Sequence, residues 1–356
     1  MNYLAPPSTD IDNPPPILGA IGRMARGYAR IFAESRHADA LSPVRPVRRV
    51  GFDLRLDVVD SVAEAEGIRM ITLARPDGSP LPRWSPGAHI DVFTPTGRQR
   101  HYSLTGDPED RRHYRIAVRR IPDGLGSAEM HLLRAGDSLH IRGPRNAFPF
   151  APGPSCRFVA GGIGITPILP MVRAAARLGI DYSVVYTGRS RASMPFVDEL
   201  LGIDSHRVRI QADDEHDGPL DIAEILGDAT TPVYLCGPSG MLDAARRLVV
   251  TEQPDRELHS ERFSPPPVID GAPFRIDFAR GGSVEVGADE TALAAIRRVK
   301  PEVRYSCRQG FCGACRVKVL DGRVTHHDRV LIGDEKDDSM MICVSRATDD
   351  HVVVDL

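Results

Sequence analysis

The sequence lacks what a membrane-spanning or nucleic-acid-binding chain needs. Its 356 residues contain no uninterrupted apolar run of ~18 residues, the length of a transmembrane helix. The formal net charge at pH 7 is only −3, which provides no basic excess for a polyanion. Internal repeats are absent as well. We therefore expect no transmembrane segment and no nucleic-acid partner, but a globular monomer of about two or three domains.

Cysteine is scarce, and four of the six cysteines form one pattern. Cys307, Cys312 and Cys315 follow the spacing C-x4-C-x2-C, and Cys343 lies further along the chain. Plant-type ferredoxins bind a [2Fe–2S] cluster with this spacing. Zinc sites usually repeat a C-x2-C pair, and disulfide frameworks belong to short secreted chains, whereas we expect no secretory signal here. We predict that the four thiolates bind a [2Fe–2S] cluster in the reducing cytoplasm, with a zinc-binding structural module as the non-enzyme alternative.

Residues 1–46 form an extension whose composition differs from that of the rest. It opens with proline-rich sequence, which favours an extended or disordered chain. From Ile17 to Glu34 apolar residues recur at helical spacing, while Arg23, Arg26 and Arg30 gather on the opposite side. We expect this amphipathic helix to pack on the protein's own body, but an arginine face also suits an acidic partner or an anionic surface. The sequence does not choose between these roles.

Residues 47–153 contain short strand-like segments separated by glycine and proline, which predicts a small antiparallel barrel. One strand, residues 100–104, has the sequence Arg-His-Tyr-Ser-Leu. A flavin needs an aromatic ring to stack on, a hydroxyl near N5 and a cation at its phosphate, and this strand offers all three. A glycine turn at residues 124–127 then opens a short helix, whose N-terminus is suited to a phosphate.

Residues 154–263 alternate strands with helices, which predicts a parallel α/β sheet. The turn Gly-Gly-Ile-Gly-Ile-Thr-Pro at residues 161–167 resembles a dinucleotide-binding turn, although it departs from G-x-G-x-x-G. We predict that it leads into an amphipathic helix from about Ile168 to Leu178. Cys-Gly-Pro at residues 236–238 ends another strand on the same predicted edge, where such folds bind ligands. Arg189 and Arg191 stand where an acidic residue would bind the ribose 2′-hydroxyl, so the choice between NADH and NADPH stays open.

Residues 264–271 are a proline-rich linker, and residues 272–356 hold the cysteine pattern. A pair of strands, a helix from Thr291 to Val299, the cysteine loop and returning strands follow in that order. This sequence of elements predicts a compact α+β domain.

Taken in series, these motifs resemble the phthalate dioxygenase reductase family. They are R-x-Y-S-L, G-G-I-G-I-T-P, C-G-P and the plant-type cysteine pattern, and the resemblance covers residues 47–356. It implies a multidomain fold with an antiparallel flavin-binding β-barrel, an α/β nucleotide-binding domain of the ferredoxin-reductase type and an α+β plant-type ferredoxin domain. It also implies FMN, a [2Fe–2S] cluster and NADH as cofactors, with NADPH as a further possibility.

The resemblance also implies roles for individual residues. The predicted catalytic residues are Ser103, beside flavin N5, and Cys236, near nicotinamide C4. Glu261 and Phe263 match the segment that ends the nucleotide domain beside the flavin, and Ser190 replaces an aspartate that is frequent in the family. The other predicted cofactor-binding residues are Arg100, His101, Tyr102, Ala117, Val118, Arg119, Gly126, Ser127, Gly162, Gly164, Thr166, Pro167, Arg189, Gly237 and Pro238. The predicted metal ligands are Cys307, Cys312, Cys315 and Cys343.

These implied cofactors predict an electron-transfer enzyme. A nicotinamide delivers two electrons together as hydride, whereas an iron–sulfur cluster takes one, so a flavin has to stand between them. We therefore expect the protein to be a reductase that passes electrons to a terminal oxygenase. Because the ferredoxin domain comes last in the chain, we favour a Rieske-type oxygenase as partner, with a haem-thiolate (cytochrome P450) monooxygenase as the alternative.

Overall fold

The structure, a computed structural model, describes Met24 and residues 52–122, 124–216 and 218–356. The helix predicted from Ile17 to Glu34 lies outside the described residues, apart from Met24, whose side chain is exposed. None of the helices in the described ranges has both the length and the apolar character needed to cross a bilayer.

The first sheet is antiparallel and has six strands. They are β1 (Asp53–Ala65), β2 (Ile68–Ala74), β3 (Ala88–Phe93), β4 (Gln99–Ser103), β5 (His113–Arg119) and β6 (Ser138–Asn146), with helix α1 (Leu125–Leu132) between β5 and β6. The strand order is β4-β3-β6-β1-β2-β5, and a bridge between Leu104 and Ile116 joins its two ends. Alternate residues of β1, namely Leu54, Leu56 and Val58, are buried in the core, as the two-residue period of a strand requires. The predicted antiparallel barrel is confirmed.

The second sheet is parallel and has five strands in the order β11-β10-β7-β8-β9. Its elements are β7 (Ser155–Gly161), α2 (Ile165–Leu178), β8 (Asp181–Gly188), α3 (Val197–Asp204), β9 (Val208–Ala212), α4 (Ile222–Leu226), β10 (Val233–Cys236), α5 (Ser239–Glu252) and β11 (Leu258–Glu261). The chain first runs from β7 to β8 and β9 and later returns to the other side of β7. The carboxyl ends of β7 and β10 therefore border a crevice of the kind that binds nucleotides.

Helix α2 starts earlier than the sequence predicted. We expected it near Ile168, but it begins at Ile165 and includes Pro167. Proline is tolerated in the first turn because the backbone N–H that it lacks has no partner inside the helix. The Gly-Gly-Ile-Gly turn therefore leads directly into the helix.

The third sheet is mixed, with the strand order β13-β12-β18-β14-β16 and a separate pair β15-β17. Its elements are β12 (Phe274–Phe278), β13 (Ser283–Val286), α6 (Ala292–Val299), β14 (Arg316–Asp321), β15 (Val324–Thr325), α7 (Glu335–Asp338), β16 (Ser339–Met341), β17 (Arg346–Ala347) and β18 (His351–Val354). Thr291 caps α6, since its hydroxyl accepts the Ala294 N–H at 3.1 Å. Leu293 and Ile296 of α6 are buried in the core with the strands. The predicted α+β domain is confirmed.

Candidate functional site

The cysteine pattern forms a loop between α6 and β14. Cys307, Cys312 and Cys315 lie in this loop, and Cys343 follows β16. The loop and the β16 end are joined by the Ile342 N–H, which donates to the Cys315 carbonyl at 3.4 Å. Gly310 has φ +75°, and a Cβ there would lie 2.7 Å from Val344, so the tight loop requires glycine.

The four sulfur atoms face one another and several backbone donors. The neighbouring thiols of Cys312 and Cys343 lower the pKa of Cys307, and the backbone N–H groups of Gln309 and Phe311 act in the same direction. The Gln309 nitrogen is 3.3 Å from the Cys307 Sγ. Donors aimed at sulfur in this way stabilise the negative charge of a bound iron–sulfur cluster.

The spread of the sulfurs argues against one zinc ion. No three of the four cysteine sulfurs lie within 4.8 Å of one another. A tetrahedral zinc, with bonds of about 2.3 Å, would bring all its sulfurs within about 4 Å. Cys312 and Cys343 both interact with Cys307, and Cys343 also interacts with Cys315. Four sulfurs that are neighbours but do not converge on one point fit two irons better than one zinc ion.

The candidate flavin face lies on β4 and on the N-terminus of α1. Tyr102 packs on the barrel core, and its burial raises the pKa of the phenol. Ser103 is buried at the end of β4. The Arg100 guanidinium lies over Gly126, where a Cβ would come within 2.8 Å of its Nε. A cation over a helix N-terminus, with room kept by a glycine, fits a phosphate.

Three other predicted flavin residues, Ser127, Val118 and Ala117, contact other parts of the barrel domain. The Ser127 hydroxyl donates to the Gly124 carbonyl at 2.9 Å and accepts the Ile121 N–H at 3.0 Å, which fixes the turn before α1. Val118 is buried on β5, and its carbonyl contacts the His131 ring at 2.8 Å. Neighbouring Ala117 is buried as well.

His101 does not share the side of β4 used by Arg100 and Tyr102. Its Nε2 lies 2.7 Å from the Asp91 Oδ1, and its ring centroid is 5.7 Å from that of Phe311. The sequence grouped His101 with the flavin ligands, whereas the structure places its side chain against the cysteine loop. The reason is the two-residue period of the strand, which sends successive side chains to opposite faces.

The nucleotide crevice has a volume of about 1270 Å³ and lies between the barrel and the parallel sheet. Residues of the turn after β7, the end of β8 and the barrel line it together, including Gly162, Arg119, Arg120, Arg189 and Pro238. This volume exceeds that of a typical small-ligand pocket, and a dinucleotide is a large ligand. Its arginines provide the positive charge that a pyrophosphate needs.

Gly164 lets the two ligand-binding turns approach each other. A Cβ on Gly164 would lie 2.1 Å from the Cys236 carbonyl oxygen, and one on Gly237 would lie 3.2 Å from the Gly161 Cα. Beside them, the Thr166 hydroxyl donates to the Ile163 carbonyl at 3.0 Å and holds the turn in shape. Side chains larger than hydrogen would separate β7 from β10 at the crevice.

Cys236 and Glu261 are paired in register at the ends of β10 and β11. Cys236 is fully buried, and burial raises the pKa of its thiol well above the ordinary range, so it is not an activated nucleophile. Burial also raises the pKa of Glu261 to about 8, and its Oε2 has no hydrogen-bond partner among the described residues. Phe263 follows and is 41% exposed. A carboxyl group with an unused oxygen at this edge fits a bound nicotinamide or flavin ring.

The sequence reasoning missed the residues that hold the cysteine loop against its neighbours. Tyr305 accepts a hydrogen bond from Arg100 at 3.3 Å, and the Arg297 guanidinium lies 4.6 Å from the Tyr305 ring centroid. On the other side, the Gln309 amide donates to the Arg262 carbonyl at the end of the nucleotide domain. Tyr305, two residues before the first cysteine, was the only sequence feature that could have indicated these contacts.

Comparison with known proteins identifies two of the domains that carry these candidate sites. Residues 56–150 match the oxidoreductase FAD-binding domain, and residues 278–348 match the 2Fe-2S iron-sulfur cluster binding domain. Together with the nucleotide crevice, they define an oxidoreductase that combines a flavin, a pyridine nucleotide and a [2Fe–2S] cluster.

Full-length relatives define the family. The chain is 36% identical to the phthalate 4,5-dioxygenase oxygenase reductase subunit of Pseudomonas putida, over 85% of this chain and 96% of the relative. The solved structure of phthalate dioxygenase reductase is 34% identical with a TM-score of 0.63, over 85% of this chain and 98% of that one. An intact type IV self-sufficient cytochrome P450 monooxygenase is 37% identical with a TM-score of 0.64, over 91% of this chain and 45% of that one.

The chain belongs to the phthalate dioxygenase reductase family. The cofactors predicted from the sequence, FMN, a [2Fe–2S] cluster and NADH, are confirmed by the family and its domains.

Proposed function

We propose that this chain is the reductase component of an oxygenase system, which takes electrons from NADH and delivers them singly to a terminal oxygenase. The observation that carries this proposal is the position of the cysteine loop. Its Tyr305 contacts Arg100 of the flavin face, and its Gln309 contacts Arg262 at the end of the nucleotide domain. One loop therefore touches both regions that would hold the organic cofactors.

The residues of the chain bind and orient these cofactors. Arg100 and the α1 N-terminus would hold the flavin phosphate, and Tyr102 would pack against the ring. Gly162 lines the crevice and would leave room for the nucleotide, Gly164 lets the turns after β7 and β10 approach each other, and Arg119 and Arg189 would lie beside the phosphates. When bound, the flavin accepts an electron pair as hydride and the cluster accepts one electron at a time.

Ser103 and Cys236 are proposed to position the reacting rings. Cys236 stays a neutral thiol because its burial raises the pKa of the thiol, so it fills space at the nicotinamide and forms no covalent bond. Ser103 is buried at the end of β4, on the side of the strand that alternation gives to His101, so its role beside flavin N5 stays a prediction. The reaction needs only close approach of the two rings, which these residues would secure.

The terminal oxygenase is proposed to be a Rieske-type enzyme. The relatives support an oxygenase partner, since one of them is the reductase subunit of a phthalate 4,5-dioxygenase. A haem-thiolate partner is the second candidate, because a self-sufficient cytochrome P450 monooxygenase resembles this chain over 91% of its length. Reconstitution with one purified oxygenase of each type, following product formed per NADH oxidised, distinguishes the two.

We further propose that the reductase works as a monomer in the cytoplasm, where the thiolates stay reduced.

The decisive experiment is anaerobic titration of the purified protein with NADH and, separately, with NADPH. The visible absorption of flavin and iron–sulfur cluster should bleach together, with NADH effective at lower concentration. Metal and flavin analysis of the same sample should give two irons and one FMN per chain. Zinc in place of iron, or protein without flavin, would overturn the proposal.

A further inference from the structure

A buried group of polar residues lies on the barrel face that meets the cysteine loop. His89 and Asp91 are on β3 and His101 is on β4, and they are 3%, 0% and 15% exposed. The His89 and His101 rings stack with centroids 5.0 Å apart. Phe311, the residue before Cys312, covers both rings, at 5.9 Å from His89 and 5.7 Å from His101.

Two members of this group already have partners. The Asp91 carboxylate pairs with Arg145, accepts a hydrogen bond from Gln99 at 2.8 Å and lies 2.7 Å from His101 Nε2. Gln99 and Arg145 both bind Oδ2, and the Arg145 guanidinium places a fixed positive charge there, while Oδ1 faces His101 as an ion pair without hydrogen-bond geometry. A metal ion would have to compete with that charge, so the group is a poor metal site although its ligand atoms lie within 4.8 Å of one another.

His89 is different. Neither of its ring nitrogens has a hydrogen-bond partner among the described residues. An imidazole always carries at least one N–H donor, and burying an unpaired donor is unfavourable. The Phe311 ring of the cysteine loop lies against the His89 ring, with the centroids 5.9 Å apart, and Phe311 directly precedes Cys312. The donor is therefore buried on the barrel face that meets the cysteine loop.

We propose that His89 is a positioning residue, which donates an N–H hydrogen bond from the barrel to a sulfur of the [2Fe–2S] site. This inference rests on the proposed function, because it requires the cluster. The hydrogen bond satisfies the buried donor, and the His101 ring stacked on His89 and the Phe311 ring at its edge hold its orientation. A hydrogen bond to sulfur stabilises the reduced cluster and raises its potential. The barrel thus sets the potential of a cluster that belongs to another domain.

Pulsed EPR of the reduced holoprotein tests the contact directly. Protein labelled with 15N-histidine should show a weak hyperfine coupling between an imidazole nitrogen and the cluster, and His89→Leu should lose it. His140→Leu is the matched control, because His140 lies on β6 of the same barrel and is 50% exposed. The control should keep the coupling. A wild-type spectrum that shows the cluster but no imidazole coupling would overturn the inference, whereas absence of any [2Fe–2S] signal would overturn the proposed function instead.

Redox titration measures the potential of the cluster, which would stay unchanged if His89 only packed against its neighbours. In His89→Leu the ratio of oxidised to reduced cluster at a fixed potential should rise about tenfold, which is a shift of about −59 mV for one electron. The flavin potentials should stay unchanged, and His89→Gln, which keeps an N–H donor, should restore most of the cluster potential. An unchanged cluster potential in a folded His89→Leu protein with full iron content would contradict the proposal.

Discussion

The cysteine loop and the nucleotide crevice bind their cofactors in opposite ways. The loop uses side-chain sulfurs, three of them within the residues 307–315. The crevice uses glycines and backbone at the ends of β7 and β10, with arginines from the barrel and from the turn after β8. The function of the loop therefore depends on which side chains are present. The function of the crevice depends on the space that small residues leave for a ligand.

The six cysteines show the same contrast. The four in the pattern face one another, and backbone N–H groups point at Cys307. Cys156 and Cys236 are buried in the parallel sheet, where desolvation raises the pKa of both thiols, that of Cys156 to about 12. Surroundings, rather than residue type, decide which thiols are available to metal.

The largest expected effect comes from removing one ligand of the loop. Cys312→Ser should lower cytochrome c reduction by more than about 100-fold, beyond the 10- to 100-fold typical of outer-shell changes at metal sites. NADH-to-ferricyanide activity should persist, because the crevice and flavin face are untouched. Cys156→Ser is the control and should keep both activities. Equal loss of both activities in Cys312→Ser would show that loop and crevice are not separate.

A smaller effect is expected at the flavin face. Arg100→Ala should weaken FMN binding about 10- to 100-fold, since a charged hydrogen bond contributes about 1.5–3 kcal/mol. Fluorescence titration of the flavin-free protein measures this affinity. Arg98→Ala removes a neighbouring guanidinium that pairs with Glu129 and should leave FMN affinity unchanged. Equal affinities in the two variants would place the phosphate away from Arg100.

Substitution of Gly164 tests whether the crevice depends on the close approach of the turns after β7 and β10. Gly164→Ala would place a methyl group 2.1 Å from the Cys236 carbonyl, and we expect about 1–3 kcal/mol of destabilisation with slower flavin reduction by NADH. Gly202→Ala, in α3 with nothing within 4 Å, should instead be neutral or stabilise by up to about 1 kcal/mol. Chemical denaturation and stopped-flow reduction report the two effects. A rise in stability for both variants would remove the steric argument.

The effect expected at Glu261 depends on pH and is smallest near pH 5. Because its pKa is raised to about 8 from an ordinary value of 4.5, the folded protein holds this proton more tightly than the unfolded chain. The resulting stability is complete below about pH 4.5 and is lost as the pH rises through about 8, at up to about 1.4 kcal/mol per pH unit. Glu261→Gln should lack this component, so its stability relative to wild type should increase from pH 5 to pH 8. A constant difference between the two proteins across that range would contradict the raised pKa.

The sequence predicted the elements of the fold well where the pattern is local. The strands around Leu56, Ile71, Ile90 and Ile116 follow from alternation and from glycine and proline boundaries. The predicted start of α2 near Ile168 was too late, because the helix begins at Ile165 and Pro167 fits its first turn. His101 was grouped with its sequence neighbours, but strand geometry turns its side chain to the other face.

The sequence alone predicted the four cysteine ligands, the two glycine turns and the order of the domains, because each depends on residue type and on spacing over a short length of chain. Only the tertiary structure brought Tyr305 to Arg100 and Phe311 over His89. These contacts join residues that are far apart in the sequence and leave no periodic or compositional signal. They arise when the ferredoxin domain packs on the barrel, and the packing of whole domains cannot be read from local patterns.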